Sequence, residues 1–137
     1  MKWVFADAGY WIALLNPKDN LHARARMVSS SLGRVRWVTS EMVLTEVLNA
    51  FANKGELLRK VACRLVEQIQ SDPNTELIRM TSSAFVEATA RYRGRSDKGW
   101  GLTDCTSFLI MEQIGITEAL SADRDFLQAG FTALLVL

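Results

Sequence analysis

Four acidic residues stand where a carboxylate has little structural reason to be. Asp7 ends the β-favouring apolar run Lys2–Ala6 and precedes the apolar stretch Ala8–Leu15. Asp123 follows a short strand-like piece, Ala119–Ala122. Asp104 sits in the first turn of an otherwise nearly all-apolar helical run, Thr103–Ile114. Glu46 interrupts a helix that begins at Glu41. If the four converge, their mutual repulsion must be relieved by raised pKa values or by a divalent cation among them. All-oxygen donors select hard ions, Mg²⁺ or Mn²⁺, over zinc. Such an ion keeps waters that can be activated, and it stabilises charge on a phosphoryl group. The chemistry expected of the cluster is phosphodiester hydrolysis.

Singly, each acid has a plainer explanation. Asp104 complements a helix dipole behind Thr103 as N-cap. Asp123 caps a short helix, Arg124–Ala129. Glu46 is a solvated helix residue, the usual fate of a Glu. Asp7 is the hardest to dismiss. Other catalytic chemistries lack their residues. His22 is the only histidine, so histidine-rich metal sites are absent and a Ser/His/Asp triad has no nucleophile elbow. His22 is expected to pack or cap a helix. The stretch Gly94–Gly101 carries no phosphate-cradling glycine pattern.

The elements that must position these acids follow from periodicity. Continuous apolar runs at Lys2–Ala6 and Val35–Val38 read as buried parallel strands. Thr75–Met80 and Thr132–Leu137 are further strand candidates. Helices are expected over Ala8–Leu15, Asp19–Ser31, Glu56–Gln70 and up to Arg93, the last capped by Ser82 or Ser83. Leu44, Val47, Leu48 and Phe51 form an i, i+3, i+4, i+7 stripe on the helix that Thr39 or Ser40 caps, and Gly55 breaks it. Strands alternating with helices imply a three-layer α/β/α sandwich around a central parallel sheet. Functional groups then gather at the C-terminal strand ends.

The 137 residues, about half of them apolar, suit one domain over 1–137 with its own core. A net charge of +1 excludes a strong global field for a polyanion, so any nucleic-acid contact must be local. Cys63 and Cys105 lie in apolar helical runs and are expected to be buried free thiols. No apolar run approaches a membrane span. Asp7 interrupts the apolar core of any leader peptide at Met1–Leu15, so the expectation is a soluble, cytoplasmic chain.

The segments FADAGYWIALL, TSEMVLTEVLNAF, LTDCTSFLIM and ALSADRDFLQAGF resemble, in order and spacing, the four acidic blocks of PIN-domain proteins. NPKDNLHARA resembles that family's loop and second helix. The resemblance spans nearly the whole chain. It implies Mg²⁺- or Mn²⁺-dependent endoribonuclease activity, frequent homodimers, and Asp7, Glu46, Asp104 and Asp123 as the catalytic, metal-holding acids. Glu46 takes its place mainly from this likeness. Ser121 stands where many members carry Thr or Ser and is expected to orient a carboxylate or a water. Asp125 is a secondary candidate, ranked lower because it points to the opposite side of a local turn. Ser107, one turn after Asp104, either supports the site or is a small packing residue.

Arg91, Arg93, Arg95 and Lys98, with Tyr92 and Trp100 interleaved, precede Asp104. Cations of this kind grip phosphates while aromatic faces stack on unpaired bases. Lys54, Arg59, Lys60 and Arg64 form a second basic face, read as solvated. Many PIN proteins of this size resemble toxins of VapBC-type toxin–antitoxin pairs, which implies a small antitoxin protein as partner. The competing function is a non-catalytic RNA- or protein-binding module. Trp11, Leu14, Leu57 and Leu58 are assigned to core packing ahead of a partner surface.

Overall fold

The computed structural model describes residues 1–137. Strand β1 (Lys2–Ala6) leads into α1 (Ala8–Leu15) and α2 (His22–Ser31). Strand β2 (Val35–Ser40) leads into α3 (Glu41–Ala50) and α4 (Glu56–Ser71). After β3 (Thr75–Ile78) come α5 (Ser82–Gly94) and α6 (Leu102–Ile114). The chain closes with β4 (Glu118–Leu120), α7 (Arg124–Gln128) and β5 (Thr132–Ala133).

All strands pair in parallel, in the order β3-β2-β1-β4-β5. Val4, Phe5 and Ala6 of the central strand are each wholly buried. Consecutive burial means that both faces of the sheet are covered, which is why β1 reads as a continuous apolar run. The flanked parallel sheet is the expected α/β/α arrangement. The chain builds outward from β1 to β3 and then returns to the other side of β1 as β4. That reversal opens a crevice at the C-terminal ends of β1 and β4. Asp7 follows the first of these ends, and Ser121 and Asp123 follow the second.

Aromatic packing fixes α6 against α7. Phe108 meets Phe126 edge-on at 4.9 Å and Trp100 at 5.1 Å. Both phenylalanines are fully buried. Helix α6 ends at Gly115, whose φ of 84° is the left-handed turn that glycine adopts without strain.

Several local expectations are corrected. Helix α2 starts at His22, not Asp19, because Asp19 is engaged in a turn: its carboxylate accepts from Leu21 N–H at 2.8 Å. Strand β2 runs on through Thr39 to Ser40, and Ser40 alone caps α3, accepting from Val43 N–H. Thr81, not Ser82 or Ser83, caps α5. Gly101, not Thr103, is the N-cap of α6. Gly94 is the last residue of α5 and not part of the loop. Of the expected strand Thr132–Leu137 only Thr132–Ala133 pairs as one. Arg24 takes up the following carbonyls instead, donating to Leu135 O at 3.1 Å and to Leu134 O and Val136 O at 3.4 Å. Cys63 is exposed, whereas Cys105 is buried; neither is in a disulfide. His22 does cap, with Nδ1 2.7 Å from the Ala13 carbonyl of α1. Trp11 is core, Leu14 and Leu58 pack against it, and Leu57 is exposed.

Candidate active site

Asp7 occupies the N-cap position of α1 but its side chain does not cap the helix. The carboxylate turns instead to Ser121, whose hydroxyl donates to Oδ2 at 2.8 Å. The β1–β4 ladder sets this up. Ala6 pairs with Leu120, and Asp7 N–H donates to Leu120 O at 3.1 Å. The next residue of β4's exit is therefore beside Asp7. Ser121 Oγ also accepts from Asp123 N–H at 3.1 Å, so one buried hydroxyl links the two strand-end acids. The expectation that Ser121 orients a carboxylate matches this geometry.

Asp123 caps α7, its Oδ1 accepting from Asp125 N–H at 2.9 Å. That turn swings Asp125 towards Asp123 rather than away from it. Carboxylate oxygens of Asp104, Asp123 and Asp125 all lie within 4.8 Å of one another. The sequence ranked Asp125 below the other acids; the structure brings it to the same cluster. The spacing of an N-cap Asp and an acid two residues on was the available sign. Asp104 reaches the trio from the first turn of α6, where its Oδ2 also accepts from Gly101 N–H at 3.1 Å. Glu46 lies exposed on α3 and outside the trio, close enough to act electrostatically on Asp7.

The electrostatics follow from burial and crowding. Burial pushes Asp7 up to about 6, against the lowering effect of the Ser121 hydroxyl, and the charges of Glu46 and Asp123 add to the rise. Burial likewise pushes Asp104 up to about 7, helped by Asp123, Asp7 and Asp125 and opposed by the Gly101 N–H. Asp125 is raised by burial and then by Asp123. None of these acids belongs to any of the five ion pairs of the chain. A crowded set of carboxylates with no basic partner calls for protons or a cation. Its all-oxygen donor set fits a hard divalent ion.

The remaining candidates separate. Ser107 is fully buried one turn along α6 from Asp104, and its hydroxyl has no hydrogen-bond partner. Arg91 is half-buried and held by Glu112 through bonds of 2.9 and 2.7 Å. Arg95 is held by Asp97 and lies over Trp100. Arg93 and Lys98 are in no ion pair. Trp100 itself is buried, 7% exposed, so its ring is not the open stacking face that the sequence suggested; Tyr92 is exposed.

A parallel α/β domain with an acidic crevice at the strand-order reversal is the class that these elements define. The profile of the PIN domain family matches residues 4–132, and the chain belongs to that family. It is similar to the 23S rRNA-specific endonuclease VapC20 of two Mycobacterium tuberculosis strains, each 28% identical over 131 residues that cover 93% of this chain and 95% of the relative. The crystal structure of Mycobacterium tuberculosis VapC20, described as a sarcin–ricin loop cleaving toxin, superposes with a TM-score of 0.83 at 27% identity. That match covers 94% of this chain and 96% of the other.

Proposed function

We propose that the protein is an endoribonuclease that hydrolyses phosphodiester bonds of structured RNA at the Asp7–Asp104–Asp123–Asp125 crevice. The observation that carries this reading is the convergence of the carboxylates of Asp104, Asp123 and Asp125 within 4.8 Å, beside the raised Asp7. The kinship with an rRNA-specific endonuclease supports ribosomal RNA as the substrate class. A Mg²⁺ or Mn²⁺ ion held by Asp104, Asp123, Asp125 and Asp7 would neutralise the developing phosphoryl charge and ease deprotonation of the attacking water.

The residues of the chain set the conditions for that chemistry. Ser121 fixes the orientation of Asp7 and, through the Asp123 N–H, of the loop that enters α7. In the ion-free chain Asp104 is raised to about 7, so a cation bound there near neutrality would displace its proton. Glu46, exposed at the rim, adds negative charge that draws a cation inward. Arg93 and Lys98 are left to contact phosphates. The kinship supports the role of a toxin held in check by a small antitoxin protein, and we infer that it acts as a cytoplasmic homodimer.

The test is incubation of the purified protein with labelled ribosomal RNA in Mg²⁺, Mn²⁺ or EDTA, alongside Asp7→Asn. Cleavage is expected in metal only and is abolished by the substitution. Cleavage that survives EDTA, or survives Asp7→Asn, would overturn the mechanism. RNA binding with no cleavage in either metal would favour a binding module.

A further inference from the structure

A cavity of about 260 Å³ opens at the C-terminal edge of the sheet, between the end of β3 and helices α5 and α6. The strand ladders place it beside the acidic crevice. The register that pairs Phe5 with Val38, carried two residues on, sets Ser40 next to Asp7. Ser40 pairs in turn with Ile78. Both Ser40 and Ile78 line the cavity. Neighbouring strands lie about 4.8 Å apart, so these two positions are about 5 and 10 Å along the sheet edge from Asp7. Helix α6 supplies another wall, where Thr106 comes two residues after Asp104.

The lining joins apolar walls to a few polar groups. Ile78, Met80, Leu109 and Ile110 are the apolar part. The volume falls below the about 300–1,000 Å³ of pockets for drug-sized ligands and suits a single flat ring system. Glu87 of α5 and Gln113 of α6 meet in the lining, with Gln113 Nε2 donating to Glu87 Oε2 at 3.3 Å. Glu87 Oε1 and Gln113 Oε1 are left as open acceptors. Neither Glu87 nor the exposed Arg79, which also lines the cavity, belongs to an ion pair. Open acceptors ask for a ring that presents donors. Adenine, cytosine and guanine carry an exocyclic amino group, and uracil carries none.

We propose that this cavity receives the base of one unpaired nucleotide near the bond to be cut, and that it selects a base with an exocyclic amino group, which donates to Glu87. The apolar walls cover the faces of the base, as in other pockets for unstacked bases. Arg79 takes a phosphate of the same stretch of strand. A strand whose backbone lies over Asp7 passes Ser40 and Ile78 in turn, which favours a nucleotide over a protein side chain as the occupant. The RNA class rests on the ribonuclease reading above; the base selection rests on the cavity.

The test is binding in EDTA, which does not depend on cleavage. Short single-stranded RNAs carry each of the four bases in turn at one position, and the position is moved along the strand. At one position uridine should bind wild-type protein about tenfold more weakly than the other three bases, about 1.4 kcal/mol. Glu87→Gln, whose amide donates as well as accepts, should lose that discrimination. Ala84→Met, which fills the cavity from α5, should weaken binding whichever base is present. Arg79→Ala should lower the log–log salt slope by about 0.7 and leave the base preference alone. The proposal is overturned if no position disfavours uridine, or if the preference persists in Glu87→Gln. It is equally overturned if Ala84→Met binds every RNA as wild type does, which would leave the cavity to a side chain of a protein partner. Failure of the ribonuclease reading would appear separately, as absent or EDTA-resistant cleavage with the base preference intact.

Discussion

Ser121 Oγ donates to Asp7 Oδ2 at 2.8 Å while it accepts the Asp123 N–H at 3.1 Å. Two acids 116 positions apart in the chain are therefore set relative to one another by a single buried hydroxyl. Ser121→Ala should remove that tie. The Asp7 carboxyl, now without a donor that lowers its pKa, should titrate above about 6. The expected cost in stability is about 1–3 kcal/mol, the range for a buried group left unpaired. Ser121→Thr keeps a hydroxyl and should restore both properties. Carboxyl NMR titration of Asp7 in the two variants decides the point. An unchanged Asp7 in Ser121→Ala would mean that the hydroxyl does not set its ionisation.

The raised acids make stability fall as pH rises when no divalent ion is present. Asp7 and Asp104 titrate near 6 and 7 in the fold, against 3.8 in the unfolded chain. Between those limits the native state holds more protons than the unfolded state, so the slope of unfolding free energy with pH is negative. The contribution is complete below the unfolded value and is lost through the folded values. For the deeply buried Asp7 the shift corresponds to about 3 kcal/mol. Urea unfolding in EDTA from pH 4.5 to 8 should show this decline, and Asp7→Asn should reduce it to the part that Asp104 contributes. Saturating Mn²⁺ should offset the loss above neutrality by binding the native state alone. A wild-type stability that climbs over this window would contradict the assignment.

Asp125 completes the trio, so its charge should count in cation binding as much as that of Asp123. Calorimetric titration with Mn²⁺ should show Asp125→Asn weakened about tenfold or more, in line with losing one ligand from a hard-ion site. Glu46→Gln, on the exposed rim, should lose less. Equal affinities for wild type and Asp125→Asn would remove Asp125 from the site.

The sequence made the sheet and two of its acids legible for one physical reason. Parallel strands covered on both faces are unbroken apolar runs, and Asp7 and Asp123 stand where such runs stop. Helix α6 was equally plain, because a helix at the centre of the packing is apolar nearly all round. What pattern could not supply is the direction of side chains leaving a turn. Asp125 follows the α7 cap, and only the Asp123–Asp125 bond turns it inward. The same blindness applies to Trp100, which by composition looks like an open stacking face and in space is buried against Phe108. The strand expected at Thr132–Leu137 has suitable residues throughout. It ends early because the chain turns after Ala133, where Val136 N–H donates to Ala133 O at 3.2 Å, and Arg24, more than a hundred residues away, holds the carbonyls of that turn.

The geometry of the trio should depend on a ring that never touches it. Phe108 is wholly buried on α6, one turn beyond Asp104, and packs edge-on against Phe126 of α7 at 4.9 Å. Phe126 in turn directly follows Asp125. This pair is thus the apolar joint between the two helices that carry the three carboxylates. Phe108→Ala should cost about 3–5 kcal/mol, the range for deleting a buried aromatic ring. Phe108→Leu keeps much of the volume but loses the edge-to-face contact, worth about 0.5–1.5 kcal/mol beyond burial. The leucine variant should therefore fold and serve as the informative one. It should bind Mn²⁺ more weakly than wild type even though no ligand has changed, because α6 and α7 are free to shift relative to one another. Chemical denaturation and Mn²⁺ titration of Phe108→Leu measure the two effects side by side. Wild-type Mn²⁺ affinity in a clearly destabilised Phe108→Leu would show that the carboxylates hold their spacing without the joint.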